Sequence, residues 1–434
     1  MIKPRVFKGA RDFLPEQMLH REQILSVMRT VFKQFGFAPI ETPAIEYLNV
    51  LSGKYGEDAD RLIYKLNYKT DTKDEAALHY DLTVPFSRVI AMHPHLTMPF
   101  KRYQIQPVWR ADRPQPHQGR FREFYQCDVD CVGSTSMIID AELIAITYQV
   151  LTILGFDDFL IKINNRKILN GLTTYLNLTT EFTPIIARSI DKLDKTHWND
   201  VAKELADNQV PNEAIAQLEK LVQEKVTLQT LSELLQDVEI AQEGIAELNE
   251  IFNYLKILNV NENNFIFDIS LARGLDYYTG PIFETKLPKH PHIGSLTGGG
   301  RYDTLISMFT GNDVPAVGTT LGLDRIFTAM QQLNLLADIN TATQVLVANF
   351  SKETLTHTLA LVTQLRAAGI NTELYPETDK LKKQFSYCDK KKIPFMCVLG
   401  EDEIKNNTVV LKNMKQGTQE QLAFDDLLLQ LKNL

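Results

Sequence analysis

Residues 124–131 alternate in character, with Phe124, Gln126, Asp128 and Asp130 in one set of positions and Tyr125, Cys127, Val129 and Cys131 in the other. Successive side chains of an extended chain point to opposite faces, so this pattern predicts a strand with one polar and one apolar face. Such a strand belongs in an antiparallel sheet that packs one face on a core and turns the other to solvent or to a ligand. A purely solvated face would satisfy the same pattern. Four arginines on the preceding strand and loop, Arg110, Arg113, Arg120 and Arg122, favour a ligand. Guanidinium forks suit phosphates, and the Phe124 ring suits a base, so the hairpin is expected to line a nucleotide.

A second segment asks for the same kind of ligand. Ser270-Leu-Ala-Arg-Gly-Leu-Asp-Tyr-Tyr-Thr-Gly-Pro-Ile-Phe-Glu284 sets one arginine and two adjacent tyrosines on a glycine-punctuated extended stretch. The run Gly298-Gly-Gly-Arg-Tyr-Asp303 reads either as a plain turn or bulge, or as backbone brought close to a small ligand. No Gly-Lys-Ser/Thr follows it, which excludes a Walker phosphate loop. His93-Pro-His95 and His290-Pro-His292 have metal-like spacing, but neither pair has a third ligand motif, so no metal site is expected in the protein itself.

The chain has 434 residues, enough for two or three domains. No apolar run approaches the roughly 18 residues of a membrane helix, and no charged-then-apolar leader precedes the first periodic segment, so a cytoplasmic protein without a membrane partner is expected. Cys127, Cys131, Cys388 and Cys397 lack Cys-x-x-Cys spacing and are read as reduced thiols. The net charge of −8 argues against nucleic acid when taken as a sum. Its distribution argues otherwise, because basic residues gather at Lys101-Arg102, from Arg110 to Arg122, at Lys380 to Lys383 and at Lys390 to Lys392. Any one of these runs could simply be a solvated face.

Periodicity organises the rest. A helix is predicted over 15–35, ending at Gly36, followed by an extended 38–43. Short strands and a helix around 85–92 fill 77–132, then a helix over 136–154 and a strand at 160–163. Residues 170–260 repeat Leu, Ile and Val every three or four positions, as in Ile245, Leu248, Phe252 and Leu255, and read as a helical insertion. Strands are expected again at 265–270, 281–286 and 295–297. A linker at 331–342 precedes 343–434, where strands at 344–350, 370–374, 395–399 and 408–412 and a helix over 355–368 predict a small α/β domain. The predicted organisation is a core of residues 1–330, interrupted by the insertion, and a separate C-terminal domain.

Taken together, these segments resemble a known family. The 109–130 block is similar to motif 2 of a class II aminoacyl-tRNA synthetase, Gly322-Leu-Asp-Arg325 to motif 3, and Phe37-Ala-Pro-Ile-Glu-Thr-Pro43 to motif 1, the dimer segment. Leu271-Ala-Arg-Gly-Leu-Asp-Tyr-Tyr278 and Gly299-Gly-Arg-Tyr-Asp303 match the two signature peptides of the histidyl-tRNA synthetases, and Lys8-Gly-Ala-Arg-Asp-Phe-Leu-Pro15 also fits. The resemblance implies an α+β fold: a class II catalytic core of antiparallel sheet flanked by helices, with an anticodon-binding α/β domain. It implies that Asp81, Thr83 and Gln126 hold the α-amino group of histidine, that Asp130 and Tyr278 meet its imidazole, and that Tyr302 walls the pocket. Arg110 would grip the α-phosphate of ATP and Arg120 the outer phosphates, with Asp112 beside them, while Arg325 and Phe124 sandwich adenine. Arg273 would be the catalytic residue between carboxylate and α-phosphate, assisted by Arg110. Arg113 and Gln115 would face the acceptor end of the tRNA.

The resemblance further implies L-histidine, ATP with Mg2+ on its phosphates, and tRNA(His) as partners, and a homodimer. Asp81 and Asp130 depart from the Glu of many bacterial members, and the loop between Arg110 and Arg120 is longer than the common bacterial form. Two other readings stand beside an active synthetase. One is the synthetase-like regulatory subunit of ATP phosphoribosyltransferase, which lacks the anticodon domain and does not charge tRNA. The other is a generic nucleotide-binding enzyme, which would leave the two signature peptides unexplained.

Overall fold

The structure, a computed structural model, describes residues 2–53, 60–67, 74–194, 196–224, 226–272, 277–349 and 351–432. The chain divides into two compact units, Met1–Asp12 with Ile24–Leu335, and Phe13–Gln23 with Leu336–Leu434.

The first unit is α+β. Its strands are β1 (Ala38–Pro39), β2 (Ile45–Tyr47), β3 (Ala76–Leu78), β4 (Phe100–Trp109), β5 (Glu123–Val132), β6 (Leu160–Asn165), β7 (Phe265–Phe267), β8 (Pro281–Lys286), β9 (Thr297–Arg301) and β10 (Ala316–Gly322). Eight of them form one sheet in the order β1-β4-β5-β10-β9-β8-β6-β7, while β2 and β3 pair separately. The sheet is antiparallel from β4 through β6, with parallel pairs only at its two edges.

β4 and β5 are ten residues each, longer than the short strands expected over 77–132. Their length follows from the register, in which Arg102 faces Asp130, Gln104 faces Asp128 and Gln106 faces Gln126. Polar residues on both strands thus share one face, and each finds a partner there instead of water. The amides of Gln104 and Gln106 also reach the 38–43 segment: Gln104 Nε2 donates to Thr42 Oγ1 at 2.8 Å, and Gln106 Nε2 to the Thr42 carbonyl at 2.9 Å.

The run of three glycines is not a turn, as one of the two expectations had it, but the centre of β9. A Cβ on Gly299 would collide with the backbone of Gly318 and Thr319 on β10, so only glycine lets the two strands pair at this spacing. Between β6 and β7 the chain is largely helical, from Arg166–Tyr175 to Glu239–Ile257. These two helices approach so closely that a Cβ on Gly171 would lie 2.6 Å from that of Ala241.

The helix Met137–Ile153, capped by Ser136, packs over the sheet and carries a buried charge. Asp140 pairs with Arg301 at the end of β9, and the same guanidinium donates to the carbonyls of Ser134 at 2.8 Å and Ser136 at 3.4 Å. Both side chains are almost fully buried, so neither charge can turn to water if the other is lost.

The second unit holds β11 (Val345–Val347), β12 (Thr372–Leu374), β13 (Phe395–Val398), β14 (Thr408–Asn413) and β15 (Gln419–Ala423). Their order is β12-β11-β13-β14-β15, parallel across the first three and antiparallel beyond. Four helices, Leu355–Ala367, Leu381–Lys390, Glu401–Asn406 and Phe424–Lys432, accompany this sheet, and the last three and β15 add to the elements read from sequence. Its core includes Val345, Val347, Leu361, Leu365, Val409 and Leu427. Among the described residues no helix is long and apolar enough to cross a membrane.

Burial lifts the Asp140 carboxyl to about 6 against the pull of Arg301. The native state therefore holds a proton here, between the ordinary value of 3.8 and about 6, that the unfolded chain has released. This contribution to stability falls as pH rises through that window and is level above it. Asp140→Asn is expected to remove that slope and, by leaving the buried Arg301 with only the more distant Asp303 as counter-charge at 3.6 Å, to lower the unfolding free energy at pH 7.5 by about 1–3 kcal/mol. Urea titrations at pH 4.5, 6 and 7.5 test both effects.

Candidate functional site

The polar face of β5 forms the floor of a cleft of about 1170 Å3 within the first unit. Along that one strand the character changes from Phe124 near the end of the hairpin, through Gln126, to Asp128 and Asp130 at the other end.

The acidic end is built around a fully buried arginine. Arg102 on β4 is 0% exposed, and its Nη2 lies 2.8 Å from Asp130 Oδ2. The guanidinium also sits 4.2 Å above the Phe86 ring and donates to Gln104 Oε1 at 3.1 Å. The other Asp130 oxygen accepts from the Tyr302 hydroxyl at 2.6 Å. Asp130 can lie over β10 only because the residue opposite it is Gly318, where a Cβ would occupy the carboxylate's own position. Asp128 Oδ1 accepts from Thr320 Oγ1 at 2.7 Å and lies 3.4 Å from Gln126 Nε2.

Burial raises the pKa of both carboxyls, Arg102 opposes the rise, and nearby Asp81 adds to it. Desolvation likewise pushes the Tyr277, Tyr278 and Tyr302 hydroxyls above the ordinary phenol range, so all three remain donors at neutral pH. Asp81, Thr83 and Tyr278 complete this end of the cleft, and the Tyr277 and Tyr278 rings meet edge-on at 5.1 Å.

The opposite end is basic and aromatic. The Arg110 guanidinium lies 4.2 Å from the Tyr80 ring and 5.2 Å from that of Phe124, and its Nε donates to the Tyr80 carbonyl at 3.0 Å. Arg120 pairs with Asp112 at the mouth. Arg325, on the helix Leu323–Gln332, donates to the Ser295 carbonyl at 3.0 Å and lines the wall beside Phe124. The loop between Arg110 and Arg120 folds back on this helix. Gly119 adopts a φ of +66°, and a Cβ there would meet the backbone of Asp324 and Arg325. Gln332 Nε2 donates to the His117 carbonyl at 3.0 Å. Asp324 ties three segments together, pairing with Arg11 and accepting from the Tyr125 amide at 2.8 Å.

Of the residues singled out in the sequence, the cleft gathers Asp81, Thr83, Arg110, Asp112, Gln115, Arg120, Phe124, Gln126, Asp130, Tyr278, Tyr302 and Arg325. Arg273 lies outside the described residues. Arg113 is exposed and does not line the cleft. The expectation of four guanidinium groups along the hairpin needs correction, because Arg122 turns away to bond the carbonyls of Asp112 at 3.0 Å and Lys8 at 3.2 Å, fastening the N-terminal segment to the loop. Two participants were missed. Arg102, which the sequence presents only as part of a basic run, is the buried partner of Asp130 on the facing strand. Asp128 was placed on the correct face and given no role.

Comparison with known proteins adds the following. A family model described as histidyl-tRNA synthetase matches residues 9–326, and one described as an anticodon binding domain matches residues 344–434. The histidine–tRNA ligase of Cytophaga hutchinsonii is 42% identical over 98% of this chain and 99% of its own length. The crystal structure of histidyl-tRNA synthetase from Nostoc is 33% identical with a TM-score of 0.90, covering 100% of both chains. A structure from Bacillus halodurans, titled as an ATP phosphoribosyltransferase regulatory subunit/histidyl-tRNA synthetase, covers 89% of this chain and 97% of its own, with a TM-score of 0.74 at 22% identity, and so shares the fold.

Gly318→Ala is expected to force Asp130 out of its contacts with Tyr302 and Arg102. The cost should be about 1–3 kcal/mol, typical of overpacking in a well-packed interior. Thermal and urea unfolding measure it, and a variant as stable as the parent would show that the carboxylate is free to move.

Proposed function

The chain belongs to the histidyl-tRNA synthetase family, and we propose that it activates L-histidine with ATP and transfers the histidyl group to the 3′ end of tRNA(His). The observation that carries this reading is the polarity of one strand. Within a single cleft, β5 offers carboxylates and tyrosine donors at one end and Phe124 with flanking arginines at the other. An amino acid with a polar ring fits the first end and a nucleotide fits the second, which puts a carboxylate and an α-phosphate between them.

On this reading Asp81, Thr83 and Gln126 hold the α-amino group, Asp130 and Tyr278 face the imidazole, and Tyr302 closes the pocket. Arg110 grips the α-phosphate and Arg120 the outer phosphates beside Asp112. Phe124 and Arg325 take the two faces of adenine, consistent with the stacking preference of guanidinium and aromatic rings. Arg273 completes the site as the residue between the carboxylate and the α-phosphorus. Arg113 and Gln115 turn toward the tRNA acceptor end.

The chemistry demands little beyond charge and alignment. The histidine carboxylate oxygen attacks the α-phosphorus, forming the acyl phosphate bond as the bond to pyrophosphate breaks. Two anions must approach in line, and fixed guanidinium groups lower that barrier without any protein base. In the second step the 3′-terminal hydroxyl of tRNA attacks the activated carbonyl and releases AMP. Among the described residues no group of three His, Cys, Asp or Glu is arranged to hold a metal. Mg2+ carried on the phosphates of the nucleotide would add charge neutralisation, held more by the phosphates than by the protein.

Residues 343–434 serve as the anticodon-binding domain, separate from the core of residues 1–330 and its insertion at 170–260. The family match over 344–434 supports a charging enzyme over a regulatory subunit that lacks such a domain. The 37–43 segment is the proposed homodimer contact, and the protein is proposed to work in the cytoplasm.

Exchange of pyrophosphate into ATP, assayed with each of the twenty amino acids and no tRNA, is expected to occur with histidine alone. No exchange with any amino acid would refute the activation step. Arg110→Ala should lower histidine-dependent exchange by roughly 10²–10³-fold, the effect of removing one transition-state charge partner, while the melting temperature stays near that of the parent. Exchange within threefold of the parent would remove Arg110 from the α-phosphate.

A further inference from the structure

The two side chains assigned to adenine come from different elements, Phe124 from the start of β5 and Arg325 from the first turn of the helix Leu323–Gln332. One carboxylate joins them. Asp324, 2% exposed, accepts from the Tyr125 amide at 2.8 Å through Oδ2, so it holds the residue after Phe124 while being itself the residue before Arg325. The distance between the two adenine-facing side chains is thus set by a single hydrogen bond with one covalent step on either side.

The other oxygen of Asp324 is held from outside the cleft. Arg11 Nη2 pairs with Oδ1, and the Arg11 guanidinium lies 3.3 Å from the centroid of the buried Phe121 ring. The side chains of this pair are 23% and 3% exposed, so the carboxylate is nearly dry and the guanidinium mostly covered. Such a pair is more than a surface salt bridge, because removing the cation leaves a buried charge without its counter-charge.

Arg11 also arrives from a seated backbone. The Gly9 carbonyl accepts from the Arg122 amide at 2.8 Å, and the Lys8 carbonyl from Arg122 Nη1 at 3.2 Å. Gly9 has a φ of +92°, and a Cβ there would meet the Arg122 and Pro114 side chains at 2.8 Å. Residues 8–11 therefore lie against the loop between β4 and β5, although none of them lines the cleft. The acidic end of the cleft has its own ties, in which Asp130 is held by Arg102 and Tyr302.

Resting on the nucleotide reading of this end of the cleft, we propose that Arg11 is a positioning residue for ATP: through Asp324 it sets the gap between Phe124 and Arg325 that the adenine ring enters, and it touches no substrate. Without Arg11 the Asp324 carboxylate leaves its place, the Tyr125 amide loses its acceptor, and the two stacking partners no longer keep one spacing.

The test is histidine-dependent pyrophosphate exchange by the full-length parent, Arg11→Gln and Arg11→Lys, combined with competitive inhibition by adenosine, which carries the base and ribose without phosphates. In Arg11→Gln the KM for ATP should rise roughly tenfold, the effect of loosening one covered stacking contact. The inhibition constant of adenosine should rise by the same factor, while the KM for histidine stays within about twofold. Arg11→Lys keeps the charge beside Asp324 but not the planar group over Phe121, so its ATP and adenosine constants should rise by about threefold, between those of the parent and the Gln variant. If the Gln variant does not fold, the Lys variant carries the test, and unchanged ATP and adenosine constants there would overturn the proposal. An ATP KM unchanged in Arg11→Gln would do the same. So would an equal rise in the histidine KM, which marks general loosening of the site, or a raised ATP KM with unchanged inhibition by adenosine, which puts the effect on the phosphates. Failure of the parent itself to exchange with histidine is a different result, because it refutes the activation reading and takes this proposal with it.

Discussion

The site depends on one ion pair. Arg102 is wholly removed from water, and the β4–β5 register sets it directly across from Asp130. A buried guanidinium is tolerated only with a counter-charge and hydrogen-bond partners, so the register cannot slip without a cost of several kcal/mol. A slip of one residue would also turn Gln126, Asp128 and Asp130 into the core and Cys127, Val129 and Cys131 into the cleft. The pairing that makes the fold unique is therefore the one that aims the polar face at the ligand. Tyr302 is locked by the same carboxylate, so the far wall of the pocket inherits its position from β5.

Glycine supplies the space in which this network sits. β10 pairs with β5 and sets Gly318 directly opposite Asp130, and β9 pairs with β10 through Gly299, where any side chain would strike the neighbouring backbone. A sheet of ordinary β-branched residues would fill this volume and close the cleft. Strand interiors usually disfavour glycine. Here the pairing on both sides of β9 and β10 secures the strands, and the absent side chains leave room for carboxylates and tyrosines.

Much of this was legible in the chain, and the exceptions share a cause. Alternation over 124–131 is a local property and gave both the strand and its polar face. Helical spacing gave Met137–Ile153 and Leu355–Ala367 to within a residue or two at each end. The glycine run could not be resolved as a strand from local rules, because its conformation is dictated by β8 and β10, one of them upstream and the other downstream. Arg122 and Arg102 were misjudged for the same reason. An arginine in sequence shows its charge but not its direction, and the partners that decide the matter, Lys8 for one and Asp130 for the other, are distant in the chain. Arg273 was legible only through its motif.

The net charge of −8 looks unsuited to a protein that must bind ATP, yet the cleft shows why a sum is uninformative. The nucleotide end carries Arg110, Arg120 and Arg325, held by the Tyr80 carbonyl, the Asp112 carboxylate and the Ser295 carbonyl. On the floor, Asp128 and Asp130 supply negative charge that Arg102 partly offsets and burial partly suppresses by raising the carboxyl pKa values. The acidic residues of β5 and the arginines around its Phe124 end thus set opposite charge at the two ends of the cleft. A zwitterionic ligand with its cationic or N–H end inward and its carboxylate outward is favoured by both ends at once, whereas the reversed orientation is opposed by both. Orientation of the reacting carboxylate toward the arginine-lined half is thus favoured by carboxylates on β5 facing arginines from the β4–β5 loop and the helix Leu323–Gln332, set before any nucleotide arrives.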